Sequence, residues 1–531
     1  MKRFIVGSTW DRTNRNGINN NFNYLFDGVA TMKNLSIKAD ATLLKADAVL
    51  MNAQNINQSN VDVQNQLDNI ILESGTSDAE VVQSRTDLFG NTFPLLKDRL
   101  NNTDKSMISR GANVIDFGAV GDGVTDDTQA FKDALESDHK TVYAPNKKFL
   151  ITDTLRVEEN NMKVLFEGEI LFGTPNIATL IVNGDDCYVE VNINGQNKSN
   201  LGIHSIGKNN LISSCKVTNI YSDESFAYGI NVNQNGRTIV ENCFIDNVVS
   251  VGDETFGNEI GASRGIRVNG LATNVGETRL LNNTITNIGG EEGDALHFIA
   301  PGKDRMNVLV SGNTIRTFTR RAAKMQCSGV VFEGNRIENR SNHPSLVRAI
   351  DVQSVDDTVI RYNDIKIEFV PCFGLVGTTT NIVENTKIYG NNIQMFSNLA
   401  IIYTDNASGV MFNDNTIVGG GTLVLNGTGD LVVDNNKIKD SLITTSEYLI
   451  SNTKRPDNIT ISNNKVFNTV YHRPIRTSAT NVRIVGNLFP DGYGGIELTD
   501  GSGVVANNVL NAANVISTSE VGYTVANNVL I

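Results

Sequence analysis

Five short segments in the middle of the chain each set polar or charged residues on either side of two small or apolar ones, and a sixth, ending in His204, leads the set. They read Leu201-Gly-Ile-His204, Tyr228-Gly-Ile-Asn231, Arg264-Gly-Ile-Arg267, Asp294-Ala-Leu-His297, Arg321-Ala-Ala-Lys324 and Arg348-Ala-Ile-Asp351. Stacked in register, they make one column of His204, Asn231, Arg267, His297, Lys324 and Asp351, and a second of Tyr228, Arg264, Asp294, Arg321 and Arg348. Guanidinium groups in such a column bind carboxylate or phosphate, and carboxylates and imidazole move protons. Asp294 and His297, which the pattern presents as exposed, are the candidate catalytic pair, able to supply a base, an acid or a metal ligand. Glu259, Glu291 and Glu292 are the fallback carboxylates for a hydrolase, which needs two at matched separation. Tyr228, Arg264, Arg267, Arg321, Lys324, Arg348 and Asp351 are the candidate substrate contacts. The competing interpretation is a solvated face, because every outward position of such a stack must be polar. A divalent cation is indicated by no motif, since no Cys/His metal spacing is present.

The element that would stack these segments is a reiterated run of apolar residues, then Asn, one residue, and another apolar residue. Its marker residues are Asn242, Asn283, Asn313, Asn335, Asn363, Asn391, Asn415, Asn436, Asn464, Asn487, Asn507 and Asn527. They mostly lie 20 to 30 residues apart, a solenoid period. The units are short, β-branched and punctuated by Asn, Gly and Asp, which suits strands with one buried face joined at left-handed corners. Asn side chains stacked at such a corner can form an amide ladder. The spacing predicts an all-β chain, a right-handed parallel β-helix. The Leu-x-x-Leu-x-Leu frame of a leucine-rich horseshoe is missing. The longest interval between markers, Asn242 to Asn283, inserts a loop carrying Asp253, Glu254 and Glu259, and Asp304 and Arg305 fall on a neighbouring connection.

The bulk properties narrow the function. A formal charge of −13 over 531 residues argues against nucleic acid as the main partner. No stretch is long and apolar enough to span a membrane, and the N-terminus lacks a signal peptide's apolar core. The five cysteines are odd in number and scattered; Cys215 and Cys243 fall at equivalent repeat positions and read as buried thiols. Before residue 111 the pattern differs. Ile37, Ala41, Leu44, Ala48 and Met51 fit a heptad core with Asn55 and Gln58 as polar core positions, and Val63, Leu67 and Ile70 resume it out of phase. This predicts a short helical stalk, either a coiled coil compatible with a trimer or an amphipathic helix packed on another element.

Three segments carry a resemblance. Trp10-Asp11-Arg12, Arg15, Ile18-Asn19, Asn21-Phe22 and Leu25-Phe26 look like the start of tail proteins from phages of Gram-positive bacteria. Ser74 to Val82, then Arg85 and Phe93 to Leu100, are similar to a module of their baseplate and tail-fibre proteins. Val114 to Thr128, reading VIDFGAVGDGVTDDT, resembles the opening segment of the pectate-lyase-like β-helix superfamily. Within it, Asp126 and Gln129 have capping-box spacing, and Ala130, Phe131, Ala134 and Leu135 give one apolar face to plug the end of the solenoid. Turn and cap chemistry explains Asp122, Asp126 and Asp127 better than catalysis does. The resemblance implies four parts: a virion-attachment segment (1–30), a helical or coiled-coil stalk (31–73), a tail-fibre connector (74–110) and the β-helix (111–531). It implies a trimeric phage tail spike or fibre, located in the virion. Residues 1–110 would meet other virion proteins, and the helix would meet wall teichoic acid or an exopolysaccharide at the host surface. The enzymatic form of this expectation is a depolymerase, hydrolase or lyase. The alternatives are a receptor-binding fibre without turnover and a purely structural fibre.

Overall fold

A computed structural model describes residues 84–86, 91–93, 97–100 and 111–530, apart from 253–259, 271–275, 426–428, 445–456, 468–474, 478, 491–495, 499–500, 511–515 and 519–521. The attachment and heptad segments before residue 74 and the loop acids Asp253, Glu254 and Glu259 lie outside the described residues. The chain divides into two compact units, Met1–Met107 and Ile108–Ile531. In the first, Thr86 bridges Thr92, and Arg99 Nη1 donates to the Ser84 carbonyl at 2.6 Å.

The second unit is a solenoid in which every strand pairing is parallel, each coil laying its strands on those of the coil before. The coils stack because alternation along each strand sends one side chain of every two inward. In Ser328–Glu333, for example, Val330 and Phe332 are fully buried while Val331 and Glu333 face out. At the start, Ala130, Phe131, Ala134 and Leu135 of the helix Thr128–Leu135 are buried as expected, with the Phe131 ring edge-on to Phe149 (5.0 Å) and Phe166 (5.1 Å). The capping box does not form. Gln129 reaches forward to Asp133, Asp126 accepts from the Thr128 amide, and Asp127 is the N-cap residue, its carboxylate taken by the Val120 and Gly121 amides. Two backbone donors of the glycine turn claim the Asp127 carboxylate, and Asp126 follows its own Asx turn.

The Asn ladder is present, with one correction of phase. Asn313, for instance, donates its backbone N–H and its Nδ2 to Asn335 Oδ1 (2.9 and 3.0 Å) and Nδ2 also to the Leu280 carbonyl (2.9 Å). The column comprises Asn283, Asn313, Asn335, Asn363, Asn391, Asn415, Asn436, Asn464, Asn487, Asn508 and Asn528. Asn242, Asn507 and Asn527 are instead the left-handed residues just before the column, at φ 54°, 57° and 52°. In an Asn-Asn pair the first turns the backbone and the second stacks. Cys243 takes the ladder position after Asn242, paired through its N–H with Asn283 Oδ1, and Cys215 lies one coil earlier. All five cysteines are buried and unpaired, and burial raises the Cys215 thiol well above its ordinary pKa.

Candidate functional site

The six sequence segments fall on one stacked sheet, with strands β1 (Leu201–Ser205), β2 (Ala227–Gln234), β3 (Ala262–Gly270), β4 (Glu292–Ile299), β5 (Arg321–Gln326) and β6 (Ile350–Gln353). The first column is in register along its whole length: His204, Asn231, Arg267, His297, Lys324 and Asp351. It continues into Gly374 and Tyr403, where charge ends. In the second column Tyr228, Arg264, Asp294 and Arg321 are in register. Arg348 precedes β6 and reaches Asp351 Oδ1 at 3.3 Å, with its guanidinium 5.4 Å from the Tyr403 ring centre.

These side chains bury one another. Tyr228, Arg264, Asp294, His297, Arg321 and Asp351 are each 5% exposed or less, so Asp294 and His297 are not the exposed pair that the sequence suggested. Long side chains at a 4.8 Å strand spacing lie across the coil below and exclude water from it. Arg264 is the hub. Its Nε donates to His297 Nδ1 (3.0 Å), its Nη2 to Glu292 Oε2 (2.9 Å), and its Nη1 lies 3.3 Å from Asp294 Oδ2. Arg321 bridges Asp351 Oδ2 through Nε (2.9 Å) and Asp294 Oδ1 through Nη1 (3.1 Å). Burial works against the charge of both arginines, but the neighbouring carboxylates outweigh it and raise their pKa.

The surroundings of His297 argue against the proton-transfer role that the sequence suggested. An arginine that never deprotonates occupies Nδ1 as donor, so the ring proton sits on Nε2, which donates to Gln326 Oε1 at 2.9 Å. Burial, then Arg264 and Lys324, push its pKa well below the ordinary histidine value. It is a neutral spacer between two strands. Burial likewise lowers Lys324, against the opposing pull of Asp294 and Glu292.

Glu292 is the acid that the sequence ranked too low. It is 2% exposed and pairs with Arg264 and Arg320, with Lys324 Nζ at 3.9 Å. Glu291, its neighbour, points the other way; it is exposed and accepts from the Ser345 hydroxyl at 2.9 Å. Arg305 is drawn away to Asp357 (2.7 Å) on a different sheet. The signal for Glu292 was in the alternation, since it sits two residues before Asp294 on the same strand face. Adjacent glutamates hid which one shared that face.

Among the described residues the cluster gathers six cations, Arg264, Arg267, Arg320, Arg321, Lys324 and Arg348, around the buried acids Glu292, Asp294 and Asp351, with Asp405 also acting on Arg348, in a chain of net charge −13. Arg320 and Arg348 are partly open, with side chains 26% and 22% exposed. At the β1–β2 end, His204 Nε2 and Asn231 Oδ1 are buried without a hydrogen-bond partner. Among the described residues no group of three or more His, Cys, Asp or Glu is arranged to hold a metal ion.

Residues 111–343 match the family model "Rhamnogalacturonase A/epimerase, pectate lyase-like", and residues 264–438 match "Right handed beta helix region". The solenoid is a right-handed parallel β-helix, and over residues 111–343 it is similar to the pectate-lyase-like family. A 52-residue stretch is 42% identical to the "Pre-neck appendage protein" of Bacillus phage B103, covering 10% of this chain and 6% of that protein. Among solved structures, the Dettilon tailspike protein has 15% identity and a TM-score of 0.40, covering 81% of this chain and 74% of that one. Bacteriophage phi29 gene product 12, in its pre-mature form, has 13% identity and a TM-score of 0.36 over the same shares. ORF18 of Geobacillus virus E2 has 15% identity and a TM-score of 0.38, covering 67% of this chain and 65% of that one. At such identities and TM-scores these structural likenesses carry no functional weight. The charged cluster lies within the span matched to the pectate-lyase-like family, apart from Arg348 and Asp351 just beyond it.

Proposed function

We propose that this protein is a phage tail spike or tail fibre whose pectate-lyase-like β-helix recognises an anionic polymer on the host surface, at the charged sheet formed by β2 to β6. The observation that carries the proposal is the gathering of six cations around Glu292, Asp294 and Asp351, among the described residues of an otherwise acidic chain. Buried carboxylates hold the guanidinium groups in fixed directions. The partly open Arg320 and Arg348 and the edge of Lys324 then present donors in a geometry suited to phosphate or carboxylate. Wall teichoic acid, with a phosphate in every repeat, fits such a surface better than a neutral glycan does. The short stretch shared with a pre-neck appendage protein supports the virion assignment. A trimer, and attachment to other tail proteins through residues 1–110, complete this reading.

A second reading adds cleavage. It is favoured by the family match and by Asp294 Oδ2, which is buried with no hydrogen-bond donor although Arg264 lies 3.3 Å away. In that reading Asp294 or Glu292 handles the proton and the arginines stabilise charge on the polymer. His297 takes no part in it.

The test is to incubate the protein with purified wall teichoic acid and with an acidic exopolysaccharide, following both co-sedimentation and polymer length. Binding with unchanged length supports recognition alone. Shortening that Asp294→Asn abolishes while binding persists supports the second reading. Neither binding nor shortening with either polymer would remove the proposal.

A further inference from the structure

The corner residue before each ladder Asn is held in the left-handed region, and its identity follows a strict chemistry. The eleven are Asn282, Gly312, Gly334, Tyr362, Gly390, Asp414, Asn435, Asn463, Gly486, Asn507 and Asn527. Ten are Gly, Asn or Asp, the residues that tolerate this conformation. Tyr362 is the exception, a bulky aromatic at φ 58° with 61% of its surface exposed. A conformation that disfavours this residue, kept at one coil of eleven without burying the ring, points to a use outside the fold.

The surroundings fix the ring in place. It lies over Gly390 of the next coil, where an added Cβ would come within 2.6 Å of it. Tyr389 packs edge-on against it, with centroids 5.5 Å apart and planes at 84°. Arg361, held by Glu333 (Nε to Oε2, 2.7 Å) and by the Tyr389 hydroxyl (2.8 Å), places its guanidinium 5.8 Å from the Tyr362 centroid. The result is a rigid, open aromatic platform.

A groove of about 650 Å³ opens on the strands that carry this brace: its lining residues Val359 and Lys387 stand two positions before Arg361 and Tyr389, while Tyr362 itself lies outside the lining. Val331, Val359 and Met411 form its apolar floor, and Val359 is two residues before Arg361 on one strand. Its rim carries the Arg305–Asp357 pair, Lys387 and Asp430, two cations and two acids. This charge balance contrasts with the cation-rich cluster of the other sheet. An apolar floor on the strands that brace an open aromatic ring, with balanced polar walls, matches a neutral sugar chain long enough to reach both, whose pyranose rings have one C–H face and a hydroxyl rim.

We propose that Tyr362, seated over Gly390 and braced by Tyr389 and Arg361, is the platform of a second carbohydrate site that takes a neutral glycan along the Val331–Val359–Met411 groove. This site does not depend on the anionic-polymer reading. The experiment uses the full chain on an array of neutral bacterial and plant polysaccharides (glucans, galactans, mannans and rhamnans), with Tyr362→Asn and Lys324→Gln alongside. Asn is the residue that other coils carry at this corner, so the fold should accept it. The expected result is retention of at least one neutral glycan, weakened at least about tenfold in Tyr362→Asn and unchanged in Lys324→Gln. The Tm of Tyr362→Asn should equal or exceed that of the parent. The proposal is overturned if the parent retains no neutral glycan or if Tyr362→Asn binds as the parent does. It is equally overturned if Tyr362→Asn melts lower or changes oligomer size by light scattering. The ring would then be a structural support or a contact between copies.

Discussion

Replacing Arg321 with Met tests how far the charged sheet depends on paired burial. The Arg321 side chain is 5% exposed and bridges Asp294 and Asp351, both at 0%. Met keeps most of the aliphatic volume and deletes the shared cation, leaving two buried acids facing each other. Removing one partner of a buried pair costs about 3–5 kcal/mol. For a unit of about 420 residues, an unfolding entropy of ~2.1 cal/mol/K per residue converts each kcal/mol to about 1 °C. The single variant should therefore melt about 3–5 °C below the parent, followed by circular dichroism at fixed scan rate. Adding Asp294→Asn and Asp351→Asn removes the stranded charges, so the triple variant should recover most of the loss. The reasoning fails if the single variant melts with the parent, or if the triple variant melts no higher than the single.

Further outcomes follow from the same geometry. Asn363→Ala removes four side-chain hydrogen bonds, two accepted from Asn335 and two donated to Phe332 O and Asn391. At about 1 kcal/mol each it should cost about 4 kcal/mol in a chemical melt, and a loss under 1 kcal/mol would show that the ladder is ornamental. His297 has a folded pKa well below its unfolded value, so the unfolded chain binds more protons between the two. Stability should thus be complete above pH ~6.5 and fall as pH drops below it, by up to about 1.4 kcal/mol per unit. His297→Gln should flatten that limb in a pH series of melting temperatures, and an unchanged slope would mean that the ring is not held neutral. Arg320→Gln and Arg348→Gln should each weaken binding of an anionic polymer severalfold at low salt, with little effect at 1 M salt, where screening is nearly complete. Equal losses at both ionic strengths would point to shape rather than charge.

The β-helix was legible because its repeat is written in residue types. Gly312-Asn313 and Gly334-Asn335 set the phase of turn and ladder, and the register of β1 to β6 followed from it. Asn-Asn pairs blurred the phase at Asn507 and Asn527, since either residue suits either job. Burial of the charged sheet was not legible. Outward positions of a solenoid are polar whether water or the next coil covers them, and only three-dimensional stacking tells which. The same blindness made His297 look reactive, although its partner Arg264 sits 33 residues earlier. The anomaly at Tyr362, by contrast, was visible in the sequence as a Tyr-Asn pair where other copies carry Gly-Asn, Asn-Asn or Asp-Asn.

Central here is the proposal that the cation-rich cluster on β2 to β6 grips an anionic polymer. It is tested most directly by co-sedimenting the parent and an Arg320→Gln/Lys324→Gln variant with wall teichoic acid across a salt series. The account predicts that the parent binds at low salt and releases as salt rises, and that the variant binds at least about tenfold more weakly with a shallower salt dependence. Parent and variant binding alike, at every ionic strength, would contradict it.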